Sequence, residues 1–440
     1  MVRQQEGALA EGLRIYNLFP TLVGSVDAWT KQLDRIAGMG FNWIFLNPIH
    51  VPGGSGSLYA VKDYYALNPL FQGSSKKSPD KLLAGFLKAA EKRGLKVMMD
   101  LVINHTGNDS VVAEQHPDWF VREPDGSLAA PFALDPSGSG GKTVWGDLAE
   151  INYSERPERQ EIIDYFADVV RHYMQLGFRG FRCDAAYKVP NAVWRAIIDI
   201  GREVDEEVVF ASENLGSMME EVLELRGAGF DYLFNSSKWW DYREEWLLEQ
   251  YELFRSIAPS VAFPETHDTE RLVADLVAEG ISDAKSLEWR CRQAYLFAAI
   301  FSSGVMIPIG YEYGFRKKLH VVETRPKHWE EPAFDLSDFI AKVNRMKAET
   351  AVLNEEGPQK RIFMSDERVV CLLRRGMRGS DWAVSFLNSD YNSPVTARIQ
   401  NLDSDVTEGR EITPGKDKTR FVPGDEIKLE PGEVRIFVKS

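Results

Sequence analysis

The sequence predicts an α/β protein built on a (β/α)8 TIM barrel, with a short inserted subdomain after the third strand and a C-terminal antiparallel β domain. Short apolar runs alternate with longer amphipathic segments over the first three quarters of the chain, which indicates repeated βα units and a parallel sheet. Eight such runs can be found, and eight strands close a barrel of this type. After about Ala351 the pattern changes to short alternating strands separated by turns, which is typical of an antiparallel sheet.

The candidate barrel strands share an apolar run that polar or turn-forming residues close. They are Arg14–Asn17, Trp43–Asn47, Lys96–Leu101, Gly180–Asp184, Val208–Glu213, Tyr232–Asn235, Val261–Phe263 and Val305–Ile309. Between them lie amphipathic segments such as SVDAWTKQLDRIAGMG and SPDKLLAGFLKAAEKRG, which we expect to be helices. Ser25 is the expected N-cap of the first segment, and Gly94 is the expected C-cap of the second.

One connection is too long for an ordinary loop between a strand and a helix. It runs from the third strand to a helix near Pro157 and is rich in Gly, Pro, Ser and Asp, as in DPSGSGGKTVWGD. Long loops inside a compact domain usually carry function. We therefore expect residues 106–156 to form a subdomain over the barrel mouth, within a catalytic domain of residues 1–350. Residues 351–440 are expected to form a β-sandwich-like domain with strands in RVVCLLRRG, WAVSFLNSD, TARIQNL and EVRIFVKS.

Composition and charge restrict the possible partners. The net charge of −14 argues against nucleic acid, because it repels a polyphosphate backbone, and a neutral substrate such as a sugar fits it better. The three cysteines, Cys183, Cys291 and Cys371, are too few and too scattered for a disulfide framework or a zinc site. No apolar run approaches the roughly 18 residues of a membrane span, so we expect a cytoplasmic protein without membrane contact. The sequence leaves the oligomeric state open.

Three acidic residues, each after a different apolar run, are the strongest functional signal. Asp184 ends GFRGFRCD, Glu213 ends VVFASE, and Asp268 lies in VAFPETHD. In a parallel barrel the active site is built at the C-terminal ends of the strands, so these side chains are expected to meet there. The alternative is that they cap the helices that follow, as acidic residues often do.

The surroundings of two of these acids predict different roles. Arg182 and Asp184 are two apart on one strand and point to the same face, and a guanidinium favours the ionised carboxylate that a nucleophile requires. Glu213 follows an apolar run, and burial would raise its pKa, as a general acid requires. A structural ion pair at Arg182 and a capping role for Glu213 are the alternatives. Asp100 and His105, in DLVINHTG, are candidates for binding hydroxyl groups or for structural roles.

Four motifs in chain order, DLVINH, GFRCD, ASEN and THDT, resemble the alpha-amylase family of glycosidases and transglycosidases, glycoside hydrolase family 13. The resemblance covers roughly residues 14 to 350 and extends to the C-terminal β domain. It implies that Asp184 is the nucleophile, Glu213 the acid/base and Asp268 the stabiliser of the transition state. It further implies sugar-binding roles for Arg182, His105 and His267, and for Tyr59 of YAVKDYY, which stacks on the reacting glucose or, alternatively, packs in the core.

The expected substrate is an α-1,4-linked glucan or a maltooligosaccharide, which the enzyme hydrolyses or transfers through a covalent glycosyl-enzyme. Such a retaining mechanism needs the two carboxyl groups about 5–5.5 Å apart, whereas an inverting one needs about 6.5–9.5 Å. Two other classes of protein are the alternatives. A metal-dependent barrel hydrolase using Asp100, His105 and His267 lacks ligand pairs at metal spacing. A catalytically silent carbohydrate-binding member would be expected to lose one or more of the three acids.

Some positions depart from the family pattern. Many amylases bind calcium through the Asn of INH and a His after the nucleophile, but here Tyr187 and Lys188 follow. A cation is a poor neighbour for Ca²⁺, so the expectation is no metal, with calcium as the alternative. Lys188 is expected to form a salt bridge or to contact the sugar, and Tyr187 is a further candidate for substrate binding. The charged segment RKKLHVVETRPKHWEEP resembles that of the maltosyltransferase-like members. Its cluster Arg316, Lys317 and Lys318 would either meet the phosphate of a sugar donor or form a solvated loop.

Three tryptophans near the predicted mouth are candidates for stacking on glucose rings or for packing in the core. They are Trp145, Trp239 and Trp240.

Overall fold

A computed structural model describes residues 11–134, 141–235, 237–377 and 380–439. Eight parallel strands close into a barrel, and the predicted fold class is confirmed. They are β1 (Arg14–Asn17), β2 (Trp43–Leu46), β3 (Lys96–Leu101), β4 (Gly180–Cys183), β5 (Val209–Glu213), β6 (Tyr232–Phe234), β7 (Ser260–Ala262) and β8 (Gly304–Pro308). Each strand pairs with its neighbours in the chain, and β1 pairs with β8 to close the ring. Asn47 and Asp184, which were predicted to be the last residues of their strands, each lie one residue past the end of the strand.

The barrel is filled by side chains that alternate along the strands. Ile15, Phe45, Met98 and Phe234 belong to a cluster in the barrel interior. Side chains of the opposite strand face, such as Phe181, pack against the surrounding helices in the main core. Because side chains alternate along a strand, Arg182 lies on the interior side, between two residues of that outer core. The charged side chain of Arg182 therefore points into the barrel interior.

Helices follow the strands and surround the barrel. The α-helices are Pro20–Val23, Val26–Thr30, Leu33–Gly38, Pro69–Gln72, Pro79–Glu91, Val111–Gln115, Glu158–Leu176, Asn191–Val204, Met219–Glu224, Trp246–Phe254, Leu272–Ala278, Ala284–Phe301 and Ser337–Ala348. Short 3-10 helices are Pro117–Trp119, Ala186–Lys188, Ser237–Trp239, Tyr311–Tyr313, Pro326–His328 and Ala351–Leu353.

Two helix predictions were wrong in detail. The first amphipathic segment is two short helices rather than one, and Ser25 stands at its N-cap position without a capping side-chain hydrogen bond. The second helix ends at Glu91, so Gly94 is not its C-cap. Gly94 adopts φ +73° in the turn that leads into β3. A left-handed turn of this kind favours glycine, which explains the signal without the predicted role.

Two insertions rise over the C-terminal ends of the strands. After β2, strands His50–Pro52 and Val61–Leu67 form a hairpin that carries Tyr59. After β3, His105–Gly107 pairs with Leu148–Glu150, and Phe132–Leu134 pairs with Lys142–Val144. Residues 135–140, part of the predicted DPSGSG stretch, lie outside the described residues.

The C-terminal part is antiparallel, with more strands than the sequence indicated. A six-stranded sheet contains Gln359–Ile362, Val369–Arg375, Trp382–Asn388, Val434–Lys439, Gly409–Glu411 and Arg420–Phe421, and Val395–Arg398 pairs with Glu426–Leu429 in a second sheet. Four strands were predicted, and the other four were missed because they are short. The Arg374 guanidinium donates to the carbonyl oxygens of Val352 at 2.9 Å and Ile300 at 3.2 Å, which ties this sheet to the barrel. The domain boundary near residue 350 stays a prediction.

Candidate active site

Arg182 is the centre of the candidate site at the C-terminal ends of the strands. Its Nη1 donates to Asp100 Oδ1 at 2.8 Å and to Asp184 Oδ1 at 2.7 Å. Its Nη2 lies 3.8 Å from Glu213 Oε2 and 3.9 Å from Asp268 Oδ2. Four carboxyl groups from four different strand ends therefore surround one buried guanidinium. The Arg182 side chain is 5 % exposed, so little water screens these interactions.

The Glu213 carboxyl group is held by two backbone amides. Ala185 N–H donates to Oε2 at 2.9 Å and Leu215 N–H donates to Oε1 at 2.6 Å. Ala185 is the one non-glycine residue with positive φ, +42°, in the described chain, and this left-handed turn aims its N–H back towards β5. Burial raises the pKa of Glu213 to about 7, against the lowering effect of Arg182, and the charges of Asp184 and Asp268 add to the increase. The group can therefore hold a proton near neutral pH.

Asp268 has the opposite electrostatic environment. Burial acts to raise its pKa, but His267, Arg182 and Lys318 act more strongly and lower it to about 2. His267 Nε2 lies 3.1 Å from Asp268 Oδ2. The Asp268 side chain is 43 % exposed at the mouth, so the carboxylate can meet a substrate while it remains ionised.

Tyr59 connects the hairpin after β2 to these acids. Its hydroxyl donates to Asp100 Oδ2 at 2.7 Å and lies 2.7 Å from His267 Nε2. Its ring is parallel to the His267 ring, 2° between planes, with 5.8 Å between the centroids. Asn47 Nδ2 donates to the same hydroxyl at 3.0 Å. Tyr59 is thus fixed at the site with part of its surface exposed, and it also packs against the main hydrophobic core.

Asp100 and His105 form the floor on the β3 side. Burial raises the pKa of Asp100 to about 6, although Arg182 acts to lower it. Burial lowers the pKa of His105, so its ring is neutral at pH 7. Within the described residues, His105 Nε2 has no hydrogen-bond partner. A buried polar nitrogen without a partner is costly unless a ligand meets it.

Tyr187 and Lys188 lie in the turn after β4. Lys188 Nζ pairs with Glu221 Oε1 at 2.9 Å and lies 4.9 Å from the centre of the Tyr187 ring. The Asn104 backbone carbonyl oxygen accepts a hydrogen bond from Ile151 N–H at 3.0 Å. Lys188 does not fit the calcium site of the family pattern, because a cation stands where a ligand would be needed. In the described ranges, no group of three or more His, Cys, Asp or Glu residues is placed to hold a metal ion.

None of the three acids caps a helix, so that alternative is wrong. Asp184 precedes Ala185, which is itself the N-cap of the short helix Ala186–Lys188. The helices after Glu213 and Asp268 begin at Met219 and Leu272. The carboxyl groups are directed to the barrel mouth instead.

Several residues that position the site were missed from the sequence. Glu265 accepts hydrogen bonds from Arg271 Nη1 at 2.7 Å and from Leu272 N–H at 2.6 Å, which fixes the loop that carries His267 and Asp268. Asn47 was noted only as a strand end. The same reasoning used for the acids, a polar residue after a barrel strand, would have identified it.

The candidate tryptophans and basic residues differ in their exposure to solvent. Trp240 is 8 % exposed and packs on Phe301, so it belongs to the core, whereas Trp145 and Trp239 are 40 % and 52 % exposed. Arg316, Lys317 and Lys318 lie on an exposed loop. Lys318 Nζ is 3.5 Å from Glu270 Oε1.

The chain is similar to known proteins in sequence and in fold. Residues 8–124 match the family model described as glycogen debranching enzyme, glucanotransferase domain. An alpha-1,4-glucan:maltose-1-phosphate maltosyltransferase of Burkholderia pseudomallei is 25 % identical over 85 % of this chain and 33 % of its own length. Alpha-amylase MalA of Haloarcula japonica is 25 % identical over 97 % of this chain and 63 % of its own length. The chain resembles alpha-amylase-family proteins. It spans between a third and two thirds of the length of these two relatives.

The solved structures of alpha-amylase-family proteins show the same fold. The alpha-amylase of Geobacillus thermoleovorans, complexed with acarbose, superposes with a TM-score of 0.77 at 18 % identity, covering 98 % of this chain and 99 % of that one. A noncanonic maltogenic alpha-amylase of Thermotoga neapolitana gives a TM-score of 0.74 at 21 % identity, covering 97 % and 98 %. Among the described residues, no helix is long and apolar enough to cross a membrane.

Proposed function

We propose that the protein is a retaining enzyme that acts on α-1,4-linked glucans or maltooligosaccharides through a covalent glycosyl-enzyme on Asp184. The observation that carries the proposal is the single guanidinium of Arg182 among Asp184, Glu213 and Asp268, with the pKa of Glu213 raised to about 7 and that of Asp268 lowered to about 2. Glycoside cleavage requires one carboxyl group that donates a proton and a second that attacks the anomeric carbon, and we assign these roles to Glu213 and Asp184.

The proposed mechanism assigns one task to each group. Protonated Glu213 donates its proton to the glycosidic oxygen while Asp184, whose Oδ1 accepts a hydrogen bond from Arg182 Nη1, attacks the anomeric carbon. The ionised Asp268 stabilises the positive charge that develops on the sugar ring. Glu213, now a base, then takes a proton from water or from an acceptor hydroxyl, which releases the sugar with retained configuration. Tyr59 offers its exposed face to the ring, and the unpartnered Nε2 of His105 and the fixed His267 bind hydroxyl groups.

A product ladder from maltotetraose tests this proposal. Wild type should convert it to other chain lengths, whereas Asp184→Asn should show no turnover because it lacks the nucleophile. Shorter products alone identify a hydrolase, and products both longer and shorter identify a transferase. Glu221→Gln, in the helix Met219–Glu224 after β5 but outside the acid cluster, is the matched control and should keep activity. Appreciable turnover by Asp184→Asn would show that the nucleophile is assigned wrongly.

A second candidate is glycosyl transfer from a phosphorylated sugar donor. Lys318 favours it, because this exposed cation acts on Asp268 and would meet an anionic leaving group at the mouth. The maltosyltransferase relative is named for maltose 1-phosphate. If this donor is used, maltose 1-phosphate with maltotetraose should give products two glucose units longer and release phosphate, and Lys318→Ala should weaken donor use without changing maltotetraose cleavage. No phosphate release by wild type would exclude this candidate.

A further inference from the structure

A cleft of about 520 Å³ lies on the flank of the barrel, against the C-terminal β domain. The helices Ala284–Phe301 and Ser337–Ala348 form one side, and the turns at 413–416 and 432–434 form the other. Its volume is in the range of small-molecule sites, about 300–1,000 Å³. Asp184, Glu213 and Asp268 do not line it, so it is separate from the candidate active site.

Trp289 supplies an aromatic wall that is fixed in place. Its side chain is 42 % exposed. A Cβ at Gly432, where φ is +64°, would lie 2.8 Å from Trp289 Nε1 and 2.7 Å from the Tyr391 ring, so only glycine lets this turn approach so closely. Gln293 Nε2 donates to the Gly432 carbonyl oxygen at 2.9 Å, and Gln293 Oε1 accepts from the Tyr391 hydroxyl. Because contacts from both the barrel and the C-terminal β domain hold Trp289 in place, little conformational entropy is lost when a ligand binds.

The polar lining indicates a neutral ligand with many hydroxyl groups. Its charges balance, because the lining contains three cations and three acids: Arg292, Lys342, Lys416, Asp335, Asp338 and Glu433. Asp338 and Lys342 are exposed, and within the described ranges no hydrogen bond or ion pair engages either side chain. An acceptor and a donor close to an indole face match a sugar, whose CH face packs on the ring while its hydroxyl groups bond at the edge.

We propose that this cleft is a second carbohydrate site that holds a segment of a glucan chain against Trp289. The identity of the sugar rests on the proposed function. Helix Ala284–Phe301 precedes β8 in the chain and helix Ser337–Ala348 follows it, so both wall helices belong to the barrel that carries the active site. A long chain bound in the cleft is therefore retained on this barrel, while a short oligosaccharide needs only the active site.

The test separates binding from turnover. Trp289→Ala and Trp289→Phe are compared with Trp246→Ala, which removes a tryptophan of similar exposure, 38 %, elsewhere on the barrel. Retardation in native gels containing glycogen measures binding, and product release from maltotetraose measures turnover. We expect roughly tenfold weaker retardation for Trp289→Ala, a smaller loss for Trp289→Phe, and none for Trp246→Ala. Maltotetraose turnover should stay at the wild-type rate in all three.

Repeating the retardation measurements in the Asp184→Asn background separates glycogen binding from cleavage. Together with the wild-type cleavage assay, they distinguish the two proposals. If wild type cleaves maltotetraose and Trp289→Ala is retarded like wild type, the second site is wrong and the proposed function stands. If no glucan is cleaved but retardation still depends on Trp289, the second site stands and the proposed function fails. Wild-type protein that glycogen does not retard would also overturn the second site.

Discussion

Replacing Glu213 by Gln should make the protein more stable at alkaline pH while it abolishes glucan turnover. The carboxyl group is buried, its side chain only 10 % exposed, and it lies beside two further acids. In the folded state its ionised form is therefore disfavoured, whereas in the unfolded chain water solvates it freely. A Gln at this position carries no charge at any pH, so the variant avoids the cost of burying the carboxylate.

The size and direction follow from the two pKa values. Burial raises the pKa of Glu213 to about 7 from an ordinary 4.5, a difference of about 2.5. At about 1.36 kcal/mol for each tenfold change in an acidity constant, ionisation costs the folded state about 3 kcal/mol. Below pH 4.5 both states hold the proton and there is no cost. As the pH rises through 4.5 to 7, the native state binds more protons than the unfolded state, so the stability of the wild type falls.

Urea unfolding of both proteins at pH 4, 6 and 8 measures this effect. The difference in unfolding free energy, variant minus wild type, should grow by about 3 kcal/mol between pH 4 and pH 8. Any hydrogen bond lost at Ala185 or Leu215 adds a constant offset, so the change with pH is the relevant quantity. Glu221→Gln breaks the ion pair with Lys188 and should give no such gain. A difference between Glu213→Gln and wild type that stays flat from pH 4 to pH 8 would refute the reasoning.

Three further predictions concern activity and stability. Because Glu213 must carry a proton and its pKa is about 7, the rate on maltotetraose should fall with rising pH on a limb near 7; a constant rate up to pH 9 would contradict the role. Asp268→Asn should lower the urea midpoint of unfolding at pH 7, because His267 and Arg182 stabilise the Asp268 carboxylate in the folded state. The difference in midpoint between variant and wild type should narrow as the pH falls from about 4 towards 2. A difference that widens over this range would contradict the pKa of about 2. Lys347→Met should lower the free energy of unfolding by roughly 3 kcal/mol or more, since Lys347 Nζ donates to three buried carbonyl oxygens, of Ala299, Ser302 and Leu353. Its control Lys342→Met, on the exposed face of the same helix, should stay within about 0.5 kcal/mol, and equal effects would contradict the assignment.

The barrel was predictable because its strands are buried on both faces, so each appears as an apolar run that ends in a polar residue. That same feature identified Asp184, Glu213 and Asp268, and alternation along β4 correctly placed Arg182 beside Asp184. Some strands end one residue earlier than predicted, because a polar residue just past a strand resembles the last residue of the strand in the sequence.

The remainder depended on contacts between distant segments. Nothing local to SVDAWTKQLDRIAGMG marks the break after Thr30. The left-handed turn at Ala185, whose N–H donates to Glu213, has no glycine that would indicate it in the sequence. Tyr59 reaches Asp100 and His267 only because the hairpin after β2 folds over the mouth. The cleft at Trp289 is formed by two parts of the chain that lie far apart in sequence.

The anomeric configuration of the first product tests the central claim most directly. Proton NMR of the wild-type enzyme on maltotetraose, recorded before the product sugars mutarotate, distinguishes the two outcomes. Attack by Asp184 followed by attack of water or a sugar hydroxyl inverts the anomeric carbon twice, so the α-anomer should appear first. If the β-anomer appears first, water attacks directly, and the double displacement through Asp184 is wrong.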